Sequence, residues 1–368
     1  MRFYKDKKTI KIYKGDSLKI LKDLPSRSVN TVVTSPPYFN LRDYDTAEWV
    51  GGDPKCDHIE KIYRSNQNLA KLSDKWDPQG KPRPPVSRDK ETMTVPKATQ
   101  YRGQCPKCGA KRKDRQIGLE ETPKEYVDNL VNIFKEVRRV LKDDGTVWLN
   151  IGDTYANQEY NDGKIKKKDL IGIPWLTALA LQSDGWYLRQ DIIWQKPDCM
   201  PESVSDRCTK SHEYIFLLSK SDRYYYDLES IKEEALGGEG IMAGVGGNKY
   251  TNNDNPHYQT KSGKKFVSNG TRNKRSVWTV NTASYKGAHF AIYPIDLIKP
   301  CILAGCPEGG TVLDPFGGSG TTGICAYNNG RNAILIELNR SFIDLAKQRI
   351  GRQHGLFSSL EVIDEKSI

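Results

Sequence analysis

Two short segments combine residue types that suit a particular chemistry. In the first, Ser35-Pro36-Pro37-Tyr38 follows the apolar run Val29 to Thr34. The prolines fix φ and lack backbone N–H groups, so carbonyl oxygens project from a stiff turn beside a hydroxyl and an aromatic ring. Such acceptors could bind the hydrogens of a base's exocyclic amine and localise its lone pair for in-line attack on a sulfonium methyl group. Taken alone, the motif is equally compatible with a rigid loop without chemistry.

The second segment is a glycine turn, Asp314-Pro-Phe316-Gly-Gly318-Ser-Gly320-Thr321-Thr322-Gly323, which follows a short apolar strand. Glycines let the backbone approach a ligand, and the following helix offers free N–H groups. Glu337 ends the next strand, where it could accept both hydroxyls of a ribose, so an adenosine-type cofactor is indicated. The glycine spacing also fits a nicotinamide enzyme. Against that alternative, Asp314 would repel a pyrophosphate but attract the ammonium group of a methionine.

A third set of residues has the spacing of metal ligands. Cys105-Pro-Lys-Cys108-Gly is a knuckle, and Cys56-x-His58 supplies two further donors. Together they predict structural zinc in Cys₃His ligation, because four protein ligands leave no open position for catalysis. Free thiols are the alternative. The scattered remaining cysteines are assigned no chemistry.

Strand-like and helix-like segments alternate along the chain, which predicts a mostly parallel α/β sheet with helices on both faces. The clearest helix lies within Leu119 to Leu141, where Thr122-Pro123-Lys124-Glu125 forms a capping box. The other predicted strands are Thr9–Lys14, Val29–Thr34, Thr146–Ile151, Tyr187–Trp194, Glu213–Ser219, Thr311–Asp314 and Ala333–Glu337. The other predicted helices are Ile173–Ser183, Pro294–Ala304 and those that begin at Thr321 and Ser341.

The overall charge favours a polyanionic partner. The 368 residues carry a formal net charge of +11, and cationic surfaces attract phosphate and release its counterions. No apolar run reaches the ~18–20 residues that would span a membrane. We expect no membrane association and a cytoplasmic location, in which cysteines seldom form disulfides.

The order of the two turns resembles a known family. A Ser/Asn/Asp-Pro-Pro-Tyr turn early and an Asp-Pro-Phe-x-Gly-Ser-Gly-Thr turn late are typical of the permuted, beta-group amino-methyltransferases of bacterial and phage DNA modification. The resemblance covers roughly residues 9–38, 119–227 and 289–351. It implies a seven-stranded, Rossmann-like, circularly permuted sheet. In that sheet the Thr311 strand is first, the Ala333 strand second, the Thr9 strand third and the Val29 strand fourth.

The resemblance also implies roles for individual residues. The turn Ser35, Pro36, Pro37 and Tyr38 would be catalytic, with Tyr38 stacking on a base flipped out of the duplex. Glu337 would hold the ribose of S-adenosylmethionine and Asp16 would lie near its adenine. The methionine part would be held by the glycine turn, namely Asp314, Phe316, Gly318, Gly320, Thr321 and Thr322. Phe290 belongs to a segment that leads into the cofactor-side helix. Asp153, in Asn150-Ile-Gly-Asp153, would line the cleft or be an ordinary turn carboxylate.

The predicted organisation interrupts one catalytic core with two insertions. Residues 1–40, 119–227 and 289–368 form the core, and the last of these is its cofactor-binding half. Residues 41–118 form an insertion with the zinc knuckle. Residues 228–288, rich in Gly, Asn, Ser and Lys, form a target-recognition insertion, for which a disordered surface loop is the alternative.

The target base follows from Ser35, because family members with serine at this position mostly methylate cytosine N4. We therefore expect N4 methylation of cytosine in double-stranded DNA, with a cognate restriction endonuclease as a possible cellular partner. The alternatives are adenine N6 methylation, a catalytically weak zinc-containing DNA-binding relative, and methylation of a protein amide. Carbon-5 methylation would need a thiolate, and Pro300-Cys301 lies in an apolar helical segment that indicates core.

Overall fold

The computed structural model describes residues 8–44, 46–62, 97–100, 103–160, 163–235, 270–283, 292–354 and 359–367. Phe290 and much of the predicted target-recognition insertion lie outside the described residues. The chain divides into two compact units, Asp45–Arg115 and the remainder. The residue bounds of the smaller unit are similar to those of the predicted insertion, 41–118.

Strands and helices are numbered in chain order. The strands are β1 Thr9–Lys14, β2 Val29–Thr34, β3 Glu48–Val50, β4 Ile59–Ile62, β5 Lys97–Gln100, β6 Lys111–Lys113, β7 Leu141–Ile151, β8 Tyr187–Gln195, β9 His212–Ser219, β10 Glu233–Glu234, β11 Thr271–Arg272, β12 Val277–Thr279, β13 Thr311–Asp314, β14 Asn332–Glu337 and β15 Ser359–Asp364. The α-helices are α1 Ser17–Asp23, α2 Pro123–Val140, α3 Ile173–Ser183, α4 Ile295–Gly305, α5 Thr321–Asn328 and α6 Arg340–His354.

The larger unit is built on one sheet in the order β12-β8-β9-β7-β2-β13-β14-β1-β15. Among the described strands of this sheet, β9 alone runs antiparallel to its neighbours. Strand β13 lies between β2 and β14, and β14 pairs with β1. The strands nearest the two termini, β1 and β15, are also parallel neighbours.

The predicted number of seven strands is wrong, because the sheet has nine among the described residues. The additional strands are its two edges. β15 follows the last predicted helix, and β12 lies within 228–288, so part of the predicted recognition insertion belongs to the core sheet. Strand β12 has only three residues, and both edge strands are defined by pairing with a single neighbour.

Helices cover both faces of the sheet, as predicted. Side chains of α1, α2 and α3 form one buried cluster, and those of α4, α5 and α6 form the other. Strand β9 serves both clusters, because Phe216 and Leu218 belong to the first and Ile215 and Leu217 to the second. The continuous apolar run Tyr214 to Leu218 is thereby explained by the two-residue alternation of side chains along a strand that is covered on both faces.

Helix α2 shows how local sequence determines an element. Thr122 accepts a hydrogen bond from the Glu125 N–H, and the Glu125 carboxylate accepts one from the Thr122 N–H. This capping box begins the helix at Pro123, the first helical position that the sequence predicts. Beyond it, Tyr126, Leu130 and Phe134 are fully buried.

The sheet brings the chemically interesting segments to one edge. The carboxyl ends of β1, β2, β7, β8, β13 and β14 point the same way, and the antiparallel β9 adds its amino end. Ligands of open α/β sheets bind at this edge. In the described part of the chain no helix is long and apolar enough to cross a membrane.

Candidate active site and metal centre

The Ser-Pro-Pro-Tyr turn, residues 35–38, leaves β2 at Thr34 and is supported from behind. The Pro37 carbonyl accepts a hydrogen bond from the hydroxyl of Tyr126 at 2.9 Å. Gly118 lies against the turn, where a Cβ would come within 2.8 Å of the Tyr38 carbonyl oxygen. Phe39, which follows the turn, is 1% exposed. These contacts hold the backbone of the turn in one conformation.

Two acceptors of this turn remain available. Among the residues that the structure describes, none donates a hydrogen bond to the Pro36 carbonyl. The Ser35 hydroxyl lies 3.3 Å from the Tyr38 hydroxyl and can donate to it. A carbonyl and a serine oxygen with free lone pairs could together accept the two hydrogens of an amine.

Tyr38 is held by its ring and by its hydroxyl. A Cβ on Gly152 would lie 2.5 Å from the Tyr38 ring, so only glycine allows the ring its position against β7. The hydroxyl donates to Glu213 at 2.7 Å and is 3.2 Å from Asn150 Oδ1. Burial, with the nearby Glu213 charge, raises the pKa of Tyr38 well above its usual value. The phenol is therefore a neutral donor at physiological pH.

Glu213 and Lys196 complete this cluster, and sequence reasoning missed both. Glu213 lies in the first residues of β9 and forms an ion pair with Lys196, the residue after β8. Both side chains are mostly buried, at 14% and 18% exposure. Asn150 at the end of β7 also donates to Glu213, at 3.2 Å. The available signal was a charged residue at the end of each of two neighbouring apolar strands.

The cofactor turn, residues 314–323, is organised around Asp314, which is 1% exposed. Its carboxylate accepts hydrogen bonds from hydroxyls of Thr34 (2.6 Å), Tyr293 (2.9 Å) and Thr322 (2.5 Å) and from the Phe316 N–H (3.0 Å). Burial raises the pKa of Asp314, and these hydrogen bonds oppose that rise. With four protein donors, Asp314 is the centre that holds the turn together.

The glycines of this turn are required by close contacts and by backbone conformation. A Cβ on Gly317 would lie 2.8 Å from the Leu335 side chain. Gly318 and Gly320 have φ of +50° and +81°, which glycine adopts readily. Thr321 and Thr322 are almost fully buried, and their hydroxyls are bonded to Arg349 and Asp314 respectively. The threonine side chains thus stabilise the turn from within the protein.

Glu337 lies beside the glycine turn at the end of β14. Its carboxylate accepts the N–H groups of Gly318 (2.8 Å) and Asn339 (2.7 Å). Burial raises its pKa to about 7. The Gly15 N–H bonds the Glu337 carbonyl at 3.0 Å, which places Asp16, the N-cap of α1, next to this strand end. The predicted ribose and adenine residues are therefore adjacent.

The structure joins the two turns directly. The hydroxyl of Thr34, the residue before Ser35, donates to Asp314, the residue that begins the cofactor turn. This contact spans 280 positions of sequence and exists because β2 and β13 are neighbours. The two turns are thus held in a fixed relation to each other.

Asp153 is a turn carboxylate, the second of its two predicted roles. Its Oδ1 accepts backbone N–H groups of Thr154, Gly172 and Ile173 at 2.9–3.0 Å. Gly172 is the N-cap of α3 and has no side chain that could cap the helix, so Asp153 supplies the missing acceptor.

The four predicted metal ligands come together within the smaller unit. One ligand atom from each of Cys56, His58, Cys105 and Cys108 lies within 4.8 Å of the others. Cys56 Sγ is 3.8 Å from Cys105 Sγ, and Cys108 Sγ is 3.6 Å from His58 Nδ1. Gly109, at φ +73°, closes the knuckle by donating its N–H to the Cys105 carbonyl at 2.8 Å.

Comparison with known proteins identifies the family. The model of the N6/N4 DNA methylase family matches residues 29–348. The chain belongs to this family. The resemblance based on the two turns is confirmed, and the match spans both of them. The residues gathered at the sheet edge are therefore those of a DNA methyltransferase.

Individual relatives agree along nearly the whole chain. The Type II methyltransferase M.Cfr9I of Citrobacter freundii is 38% identical over 358 residues, covering 92% of this chain and 87% of the relative. M.SmaI of Serratia marcescens is 38% identical over 365 residues, covering 94% and 92%.

Solved structures share the fold at low sequence identity. PvuII DNA methyltransferase, described as cytosine-N4-specific, aligns with a TM-score of 0.53 at 17% identity and covers 99% of this chain and 100% of its own. TTHA0409 of Thermus thermophilus, complexed with S-adenosyl-L-methionine, aligns with a TM-score of 0.51 at 20% identity, covering 97% and 100%.

Proposed function

We propose that this protein transfers the methyl group of S-adenosylmethionine to the exocyclic N4 amine of cytosine in duplex DNA. The observation that carries the proposal is the Thr34–Asp314 hydrogen bond of 2.6 Å, which fixes two free acceptors beside a glycine turn. The alternative target, adenine N6, uses the same geometry. Cytosine is favoured by Ser35, through the resemblance to family members that carry serine in this turn.

The cofactor side fits S-adenosylmethionine by its charge and shape. Asp314 and Glu337 form no ion pair with any residue that the structure describes, so two buried carboxylates have only neutral donors. A cationic ligand with ribose hydroxyls would complement them. Phe316, Gly318 and Gly320 would border the methionine part, with Glu337 at the ribose and Asp16 at the adenine. When bound, the cofactor supplies an electrophilic sulfonium methyl group.

The chain's own residues act on the base. Ser35 Oγ and the Pro36 carbonyl accept the hydrogens of the amine and orient its nitrogen lone pair, and the Tyr38 ring offers a surface for a flipped base. Positioning of this kind supplies much of a group-transfer rate. The sheet order, with β13 and β14 late in sequence but central in the sheet, supports the circular permutation that the resemblance implies.

The test is transfer of isotope-labelled methyl groups to unmodified bacterial DNA, followed by nucleoside digestion and mass spectrometry. N4-methylcytosine is the expected product. N6-methyladenine would overturn the target inferred from Ser35, and no methylated base, with the cofactor bound, would favour the catalytically weak DNA-binding relative. Ser35→Ala should lose most activity. Ser28→Ala, at the other end of β2 with an exposed hydroxyl on Pro25, is the matched control.

We propose further that the smaller unit binds structural zinc through Cys56, His58, Cys105 and Cys108. Sulfur atoms 3.8 Å apart fit tetrahedral ligation at Zn–S distances of about 2.3 Å. Metal analysis should give one zinc per chain for the protein and less than half of that for Cys105→Ser. A matched Cys325→Ser variant, whose cysteine is buried in the core, should keep its zinc. A folded protein without zinc would contradict the proposal.

The relatives' Type II names favour a role in restriction–modification, and a cognate endonuclease is the partner that this role implies. Its expected signature is protection: DNA treated with the enzyme should resist a nuclease that cuts the same sequence. DNA that carries the modified base but is still cut by every candidate nuclease would argue for a solitary methyltransferase.

A further inference from the structure

A line of hydrogen-bonded side chains runs from Ser35 of the catalytic turn through Tyr38 and Glu213 to Lys196. Ser35 Oγ is 3.3 Å from the Tyr38 hydroxyl, which is 2.7 Å from Glu213 Oε2. The other carboxylate oxygen, Oε1, pairs with Lys196. Neither Glu213 nor Lys196 belongs to the Ser-Pro-Pro-Tyr motif or to the glycine turn.

The donor direction along this line is determined by chemistry. A carboxylate only accepts hydrogen bonds, and Glu213 forms an ion pair with Lys196 through its other oxygen. Tyr38 has one hydroxyl proton, and its shortest contact directs that proton to Glu213. The Tyr38 oxygen can then only accept from Ser35. The single proton of Ser35 is thereby used, and the lone pairs of its oxygen remain for an incoming amine.

We propose that Glu213 is a positioning residue which, through Tyr38, makes Ser35 an acceptor rather than a donor toward the target amine. The proposal rests on the proposed function and deepens it. Lys196 supports the arrangement by balancing the Glu213 charge in a place where both side chains are mostly buried. A serine free to rotate would spend part of its time donating its proton toward the amine, and an amine hydrogen cannot bind to it in that orientation.

A purely structural role for Glu213 would lead to a different prediction from a positioning role. The Glu213–Lys196 pair also connects β8 to β9, and its loss could act only on stability. A positioning role instead predicts a slower chemical step with unchanged ligand affinity. It also predicts that the effect of Glu213 passes through the Tyr38 hydroxyl.

The experiment measures single-turnover methyl transfer together with dissociation constants for S-adenosylmethionine and DNA. Glu213→Gln keeps the shape but can donate from its amide, so Tyr38 can turn its proton toward Ser35. We expect the transfer rate to fall about hundredfold while both dissociation constants change less than about threefold. Glu136→Gln is the matched control, because Glu136 also pairs with a basic residue, Arg139, and is partly buried; it should keep the wild-type rate.

A double-mutant cycle with Tyr38→Phe decides between the two roles. Tyr38→Phe removes the middle of the line but keeps the ring against Gly152, so it is informative even if Glu213→Gln folds poorly. Adding Glu213→Gln to it should lower the rate by less than about threefold. A loss that multiplies in the double variant, or a Glu213→Gln rate near that of the wild type, would overturn the inference. A wild-type protein that methylates no DNA would instead overturn the proposed function.

Discussion

The catalytic turn and the cofactor turn each depend on a buried carboxylate, but the two carboxylates are balanced differently. Glu213 pairs with Lys196, whereas the described neighbours of Asp314 are three hydroxyls and one N–H. Glu337 likewise has only N–H donors, and burial raises the pKa of both Asp314 and Glu337. On the catalytic side, Lys196 balances the charge of Glu213 without any ligand. Under the proposed function, a cationic ligand would balance the carboxylate charge of the cofactor side.

The largest effect on cofactor binding should come from Asp314→Asn. An amide offers one acceptor oxygen, so at least one of the four buried donors loses its partner, at about 2 kcal/mol in the free energy of unfolding. We expect S-adenosylmethionine binding to weaken more than about thirtyfold. Calorimetry and chemical denaturation measure the two effects. Unchanged affinity would show that the Asp314 charge does not contribute on the cofactor side.

Two glycine substitutions should separate the turns. Gly317→Ala places a Cβ 2.8 Å from Leu335 in the cofactor turn, and Gly152→Ala places one 2.5 Å from the Tyr38 ring. Overpacking of this kind costs about 1–3 kcal/mol. Gly317→Ala should weaken cofactor binding about tenfold, whereas Gly152→Ala should slow transfer by a similar factor and leave cofactor binding unchanged.

Gly351→Ala is the control for this pair, because a Cβ there meets nothing within 4 Å. Because Gly351 lies within α6, its replacement by alanine should leave the free energy of unfolding unchanged or raise it slightly. If Gly152→Ala weakened cofactor binding as much as Gly317→Ala does, the two turns could not be treated as separate functional units.

The pH dependence of cofactor binding tests Glu337. Its pKa is about 7 in the free protein, and ribose hydroxyls donate best to the charged form. Binding should therefore weaken as pH falls through 7, by up to about tenfold per pH unit, with proton release on binding below that pH. Titration calorimetry in buffers of different ionisation enthalpy measures both. Glu337→Gln should bind weakly at every pH, and a dependence that survived the substitution would point to another group.

The smallest effect should come from Thr34→Val, which keeps the shape but removes the hydrogen bond between the turns. Asp314 retains three donors, so we expect a loss of about 1 kcal/mol in stability. The transfer rate should fall a few-fold, with dissociation constants nearly unchanged. Single-turnover kinetics measure the rate, and a wild-type rate would mean that sheet pairing alone keeps the two turns in register.

Local sequence predicted the elements well where the signal was strong and self-contained. The capping box of α2 and the apolar run of β9 are confirmed. The edge strands β12 and β15 were missed, because their pairing partners lie far away in sequence. Asp153 remained ambiguous for a related reason: its role depends on Gly172, which follows 19 positions later.

The site itself was predicted only in part. The two turns are local motifs, so their residues could be read from sequence, and the four proposed metal ligands, chosen by their spacing, lie together in the structure. Glu213, Lys196, Tyr293 and Arg349 were missed. Each contributes a single side chain to a contact made across strands or helices, and a lone charged or aromatic residue carries no pattern of its own.

The sequence by itself determined which backbone turns this protein can make, because proline restricts φ and glycine readily adopts the positive φ and allows the close approach that the turns need. It also determined the family, since two such turns in this order are specific. Only the tertiary structure decided how the turns are connected and charged. Hydrogen bonds and ion pairs act over about 3–4 Å, and sheet pairing alone brings Thr34 to Asp314, or Tyr38 to Glu213, within that range.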